Sequence, residues 1–189
     1  MPRDIAIEQI KRLTALSPSP DIQGPFPVDS VPVVDDKMVD LDSPEELASR
    51  SLLLGILYRT IGEHKTSRQF FEDAISRQTD STTSWIPAAT IFELANLDLM
   101  EAEAASNTVA PSVTADESLE PEGLAIDEKL YPPALTSKEI WKKALDSASV
   151  RLDRVSALPA NSPAMISRIE SRASMLRDEI GYKKVELGI

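Results

Sequence analysis

The stretch Leu52-Leu53-Leu54-Gly55-Ile56-Leu57-Tyr58-Arg59, its tight turn Gly62-Glu63-His64, and the answering Phe70-Phe71-Glu72-Asp73-Ala74-Ile75 decide the fold. Leu47, Leu54, Leu57, Tyr58 and Ile61 recur at helical intervals. Ser43-Pro44-Glu45-Glu46 ahead of them offers a capping serine, a proline at the first helical position and a reciprocal glutamate. Gly62 is a natural stop. A second helix is predicted from about residue 65 to 77, with Phe70, Phe71, Ala74 and Ile75 on one side. Two helices joined by so short a turn pack antiparallel.

Outward from this hairpin, three further helices and a shorter one are predicted. One begins near Ser84-Trp85-Ile86-Pro87 and runs to about Ala104, with Ile91, Phe92, Leu94, Ala95 and Leu99 as its apolar positions. Another opens at Thr136-Ser137-Lys138-Glu139, a second capping-box pattern, and continues to about Leu158. A long C-terminal helix follows Asn161-Ser162-Pro163, carrying Met165, Ile169, Ala173, Leu176 and Ile180. At the other end, Ile5, Ile10, Leu13 and Leu16 imply a short helix within residues 1–16. Prolines at 18, 20, 25, 27 and 32 make residues 17–42 an extended linker. Residues 105–135 hold Ala, Ser, Thr, Pro and six acidic side chains against one lysine, and read as a disordered acidic insertion. No stretch alternates as a strand would. The class is all-α, and residues 43–189 form its helical domain.

Helix hairpins repeating at about 34 residues are the mark of tetratricopeptide arrays. With Ala48 opening such a repeat, Leu54-Gly55, Tyr58, Gly62, Phe71 and Ala74 match its preferred types, and Ser67 is a small substitute for alanine. Gly55, Ser67 and Ala74 let two backbones approach; Tyr58 and Phe71 fill the wedge between them. A bulky residue at a small position forces the hairpin apart, at a cost of roughly 1–3 kcal/mol. The next repeat places Trp85 and Phe92 in its first helix. Its second helix is displaced by the insertion and resumes as Ser137-Lys138-Glu139-Ile140-Trp141-Lys142-Lys143-Ala144, copying the spacing of Ser67, Phe71 and Ala74. The expected architecture is an α-solenoid fragment of antiparallel helix hairpins.

Composition excludes several functions. With 20 basic against 31 acidic side chains the formal charge is −11, which opposes binding to phosphate backbones, so no nucleic-acid partner is expected. The absence of cysteine removes disulfides, thiolate nucleophiles and Cys-based zinc sites. The longest apolar run, Leu52 to Tyr58, falls far short of the ~20 residues that span a bilayer, so no transmembrane segment is expected, and the N-terminus has no apolar signal core.

His64, the single histidine, reads as a solvated turn residue rather than a ligand. No serine has an evident base beside it, and the six glycines form no phosphate-binding loop. Glu93 and Asp98 stand five residues apart, which does not stack them on one helix face, and both read as solvated or partner-facing. No catalytic residue, cofactor or metal is expected. Repeat hairpins bind peptides on the concave surface of their first helices. Here that surface would hold Ser49, Leu52, Ile56 and Arg59 from one repeat and Thr83, Ile86, Thr90 and Glu93 from the next. Leu52, Leu53 and Ile56 occupy positions where lysine and asparagine would grip a terminal carboxylate, so such a clamp is not supported. Burial of this face by upstream helices or by the C-terminal helix is the preferred reading, and a peptide groove the alternative. Arg168, Arg172, Arg177, Lys183 and Lys184 make a charge-mixed helix face, with a lipid-surface patch as the sharper alternative.

The segments Leu53-Leu54-Gly55-Ile56-Leu57-Tyr58-Arg59, Phe70 to Ile75, Trp85-Ile86-Pro87 and Phe92-Glu93-Leu94-Ala95 together resemble the C-terminal part of the tetratricopeptide repeat protein 39 family, whose fungal branch is called inclusion body clearance protein. The tail, Ser167 to Arg172 and Met175 to Ile180, is similar to the ending of the fungal members. The resemblance covers about residues 45–187, and members are much longer, so it implies a short homologue, a truncated product or a C-terminal piece. It also implies a non-enzymatic adaptor with protein partners, acting in clearance of aggregated protein, with a possible link to lipid droplets. The implied location is cytoplasm and nucleus, with the lipid-droplet or mitochondrial outer surface as further possibilities.

Overall fold

The computed structural model describes residues 1–26, 41, 43–77, 85–109, 136–158 and 163–189. Among these residues there are six helices and no strand: α1 (Arg3–Thr14), α2 (Pro44–Thr60), α3 (His64–Ser76), α4 (Ile86–Val109), α5 (Ser137–Ala157) and α6 (Pro163–Leu187). The described residues are all-α, as expected. Residues 110–135, most of the expected acidic insertion, lie outside the described set.

The local signals act as their chemistry requires. At α2 the Ser43 hydroxyl accepts from the Glu46 N–H, 3.1 Å, while the Ser43 N–H donates to the Glu46 carboxylate, 3.2 Å. Such a cap is worth about 1 kcal/mol. Thr136 and Glu139 repeat the arrangement at α5. The end of α2 is a Schellman closure: Gly62 takes φ 86°, and the N–H of Glu63 donates back to the Tyr58 carbonyl, 2.9 Å. α4 runs five residues past the expected end, so residues 105–109, expected as the start of the disordered insertion, are helical. Ser106 Oγ donates to the Glu103 carbonyl and Thr108 Oγ1 to that of Ala105.

α2 and α3 pack with almost no gap. The Ser67 hydroxyl donates to the Gly55 carbonyl, 2.8 Å, and a Cβ at Gly55 would lie 2.5 Å from the buried Phe71 ring. α4 is the central helix, buried on more than one side from Ile86 to Asp98 with few interruptions. One face packs with Leu52, Phe71 and Ala74 of the first hairpin, and another with Leu145, Leu152 and Val155 of α5 and Ile169, Ala173 and Leu176 of α6. A helix that is apolar nearly all round is satisfied only in such an interior position. α5 is antiparallel to α4, and α6 is antiparallel to α5, with Lys184 Nζ 2.9 Å from Asp146 and Arg177 donating to the Leu152 carbonyl.

Two further features of the packing differ from the sequence expectation. Residues 17–26, expected as the start of an extended linker, lie against the first hairpin. Phe26 stacks on Tyr58 at 6.3 Å between ring centroids, and Tyr58 on Phe70 at 5.4 Å. Pro20 is buried, and the guanidinium of the buried Arg50 donates to the carbonyls of Leu16 and Pro18. Proline-rich composition fixes backbone angles but carries no information about what the aromatic between the prolines touches. The second difference is register. By the offset that links the hairpins, Trp141 should face Ala89 as Phe71 faces Gly55. It shares a cleft instead with Asn96, Leu99, Met100 and Glu103, seven or more residues further along α4.

Candidate functional site

The expected concave surface is a packed seam. Leu52 and Ile86 are buried in one cluster with Leu94 and Leu97, and Ile56 packs at its margin. Thr90 is fully buried, its hydroxyl donating to the Ile86 carbonyl at 2.7 Å. Glu93 is buried beside Arg59, whose Nη2 lies 2.7 Å from Glu93 Oε2. Ser49 is half-buried, and Thr83 lies outside the described residues. The element that closes the α2 side of this face is α4 itself, and Arg172 of α6 lies close enough to Glu93 to act on its carboxyl. The continuous apolar surface of α4 leaves α2 no free inner face to offer.

Glu93 and Asp98, expected as solvated or partner-facing, are both 7% exposed. Helix α4 turns them to different neighbours. Asp98 Oδ1 accepts from Arg68 Nη2 of α3 at 2.7 Å, and Oδ2 accepts from Arg151 Nε at 2.8 Å and Ser147 Oγ at 2.7 Å, both on α5. Arg68 also donates to both oxygens of Glu101, at 3.2 and 2.6 Å. Burial pulls the Arg68 guanidinium down, but its hydrogen bonds to Glu101 and Asp98 outweigh that and hold it above the ordinary arginine value. One carboxylate thus joins three helices. Glu93 is less well served. Its contact with Arg59 lacks hydrogen-bond alignment, leaving Oε2 and Arg59 Nε without hydrogen-bond partners. Burial therefore raises the Glu93 carboxyl above the usual range, against the opposing pull of Arg59 and Arg172.

The sequence did contain a signal for Asp98. It sits in Leu94-Ala95-Asn96-Leu97-Asp98-Leu99-Met100, where an isolated carboxylate amid apolar residues demands a cation from another element. Which arginines would answer was not legible, since Arg68 and Arg151 lie 30 and 53 positions away.

Two clefts flank this joint. One of about 390 Å³ lies among α3, α4 and α5, with Arg68, Asp98, Ser147 and Arg151 in its wall and Ala102 and Ala105 behind them. Arg68, Asp98, Glu101 and Arg151 there are engaged with one another, while Lys143 at its edge is exposed. The other, about 450 Å³, opens among α4, α5 and α6 over an apolar floor that includes Leu99, Leu145, Leu176 and Ile180. Trp141 and Tyr182 border it together with Glu103, Glu179, Lys183 and Glu186. Lys183 Nζ stands 5.0 Å from the Trp141 ring centroid and 2.9 Å from Glu186 Oε2. His64 is half-buried at the first turn of α3. Among the described residues no three His, Asp or Glu side chains gather as metal ligands would, and no helix is long and apolar enough to cross a membrane.

Comparison of the chain with protein-family models, with curated proteins and with solved structures finds no match.

Proposed function

We propose that this protein is a non-catalytic adaptor on a tetratricopeptide-like α-solenoid scaffold, holding protein partners during clearance of aggregated protein, as its resemblance to the inclusion body clearance family implies. The observation that best supports the scaffold reading is the seam between α2 and α4. Leu52 and Ile86 share one cluster, and Arg59 pairs with Glu93. Each pair is 34 positions apart, the spacing at which equivalent residues of stacked hairpins meet. The buried ionisable groups of α4 support the non-catalytic reading, because they are spent on joints between helices. With the inner face closed, partners would engage outer surfaces. The acting compartment under this reading is cytoplasm and nucleus.

A second reading is peripheral association with lipid droplets or another lipid surface. It draws on α6, where Met175, Tyr182 and Val185 are 71, 79 and 82% exposed and fall within one broad helix face. Its opponent is the charge of −11. Cells depleted of the protein should clear a fluorescent aggregation reporter more slowly, and re-expression should restore the rate. An unchanged clearance rate would remove the adaptor reading. Recovery of the protein with floated droplets, lost on Met175→Glu with Tyr182→Glu, would favour the lipid reading in its place.

A further inference from the structure

The cleft bordered by Trp141 and Tyr182 has a composition that neither reading uses. Its volume, about 450 Å³, is that of a small-ligand site. The floor is aliphatic, one wall is an indole, and carboxylates stand on two of its three helices: Glu103 on α4, Glu179 and Glu186 on α6. Among the described residues that line it, Lys183 is the one base. Its ammonium sits where a cation is best held, over the Trp141 ring at 5.0 Å and against Glu186 at 2.9 Å. The chain thereby displays, with its own side chain, the group the cleft accepts.

We propose that this cleft binds an alkylammonium: a cationic head displaces Lys183 from the Trp141 ring, and a short apolar tail lies on Leu99, Leu176 and Ile180. Glu103 and Glu179 face the same opening with no basic partner among its lining residues other than Lys183. Three carboxylates against one ammonium leave room for a second positive charge. A net negative chain also raises the local concentration of cations. Tyr182, 79% exposed, stands at the lip and can fold onto an incoming head group. A quaternary head suits the ring better than a hydrated primary amine, because it gives up less hydration on entry. The same chemistry occurs on free amphiphiles and on methylated lysine side chains.

The test uses the full chain carrying Trp85→Phe, so that Trp141 is the single tryptophan reporter. Hexyltrimethylammonium, Nα-acetyl-trimethyl-lysine amide, 1-hexanol and hexyl sulfate are titrated while indole emission is followed, with far-ultraviolet circular dichroism as a check on folding. Saturable change with a trimethylammonium compound, and none with hexanol or hexyl sulfate, is the expected result. Saturation by the hexyl compound alone assigns a free amphiphile, and saturation by the lysine derivative assigns a protein side chain. Lys183→Ala should tighten binding about 2- to 5-fold by vacating the ring, while Glu103→Gln with Glu179→Gln should weaken it. An equal response to hexanol or hexyl sulfate, no saturation with either cation, or weaker binding in Lys183→Ala would overturn the proposal.

Discussion

The two hairpins of this molecule are held together by different means. α2 and α3 are joined by three residues, and their contact is a close approach of backbones without a buried ion pair: Gly55 lies beneath Phe71, Ser67 donates to the Gly55 carbonyl and Ser51 to Asp73. α4 and α5 are separated by 27 residues, and their contact carries Asp98 held by Ser147 and Arg151. Each doubling of a loop costs about 0.6 kcal/mol in closure entropy, so the second pairing starts roughly 2 kcal/mol behind the first. A tight turn fixes register by geometry, whereas a long connection leaves register to whichever partners bind best. Here those partners are the apolar faces of α4 and α5 together with one buried carboxylate and the cations that reach it.

Asp98→Ala should be the most damaging change in this comparison. It removes the carboxylate that Arg151 pairs with, while Arg68 keeps Glu101, and both guanidiniums retain some solvent, so the loss should lie at the lower end of the roughly 3–5 kcal/mol that breaking a buried pair costs. Urea denaturation gives the value, and a loss below about 1 kcal/mol would mean that apolar packing alone aligns the second hairpin. In the first hairpin, Gly55→Val should cost about 1–3 kcal/mol, because the Phe71 ring has no space to retreat. Unchanged stability there would show that the α2–α3 contact is looser than the 2.5 Å approach implies. The caps should then weigh alike: Ser43→Ala and Thr136→Ala each lose about 1 kcal/mol, read from thermal midpoints. A much larger loss at Thr136 would tie the cap to the register of α5.

Glu93→Gln should have the smallest effect, and in the opposite direction. Its carboxyl titrates above the ordinary carboxylate range because burial outweighs Arg59 and Arg172. The folded state therefore binds the proton more tightly than the unfolded chain. Stability falls as pH rises from the ordinary carboxylate value through the raised one, and the cost is fully present only above the raised value. Glutamine is neutral throughout, so the variant should match or exceed the parent in stability above the raised value, and that margin should close on acidification. A margin that widens as pH falls would reverse the sign.

The same contrast explains what could be read from the residues alone. Helix existence and most boundaries follow from short-range signals: the capping boxes at Ser43 and Thr136, the Gly62 stop, and the apolar spacing of α6. The first hairpin follows too, because its turn leaves one way to pack. The docking of Phe26 on Tyr58 did not follow, since nothing near Phe26 names a partner. Nor did the closure of the concave face. Leu52, Ile56 and Ile86 suit a groove and a core equally well, and the choice depends on where α4 lies. Glu93 and Asp98 were misread for a related reason: spacing along one helix says whether two carboxylates face each other, not which arginines face them.

The most direct test of this account is a double-mutant cycle on Asp98→Ala and Arg151→Ala. If α5 lies on α4 with Arg151 at Asp98, the two losses should fall short of additive by roughly 0.5–3 kcal/mol. Losses that add within about 0.5 kcal/mol would place the two residues apart, and with them the register that joins the halves of the molecule.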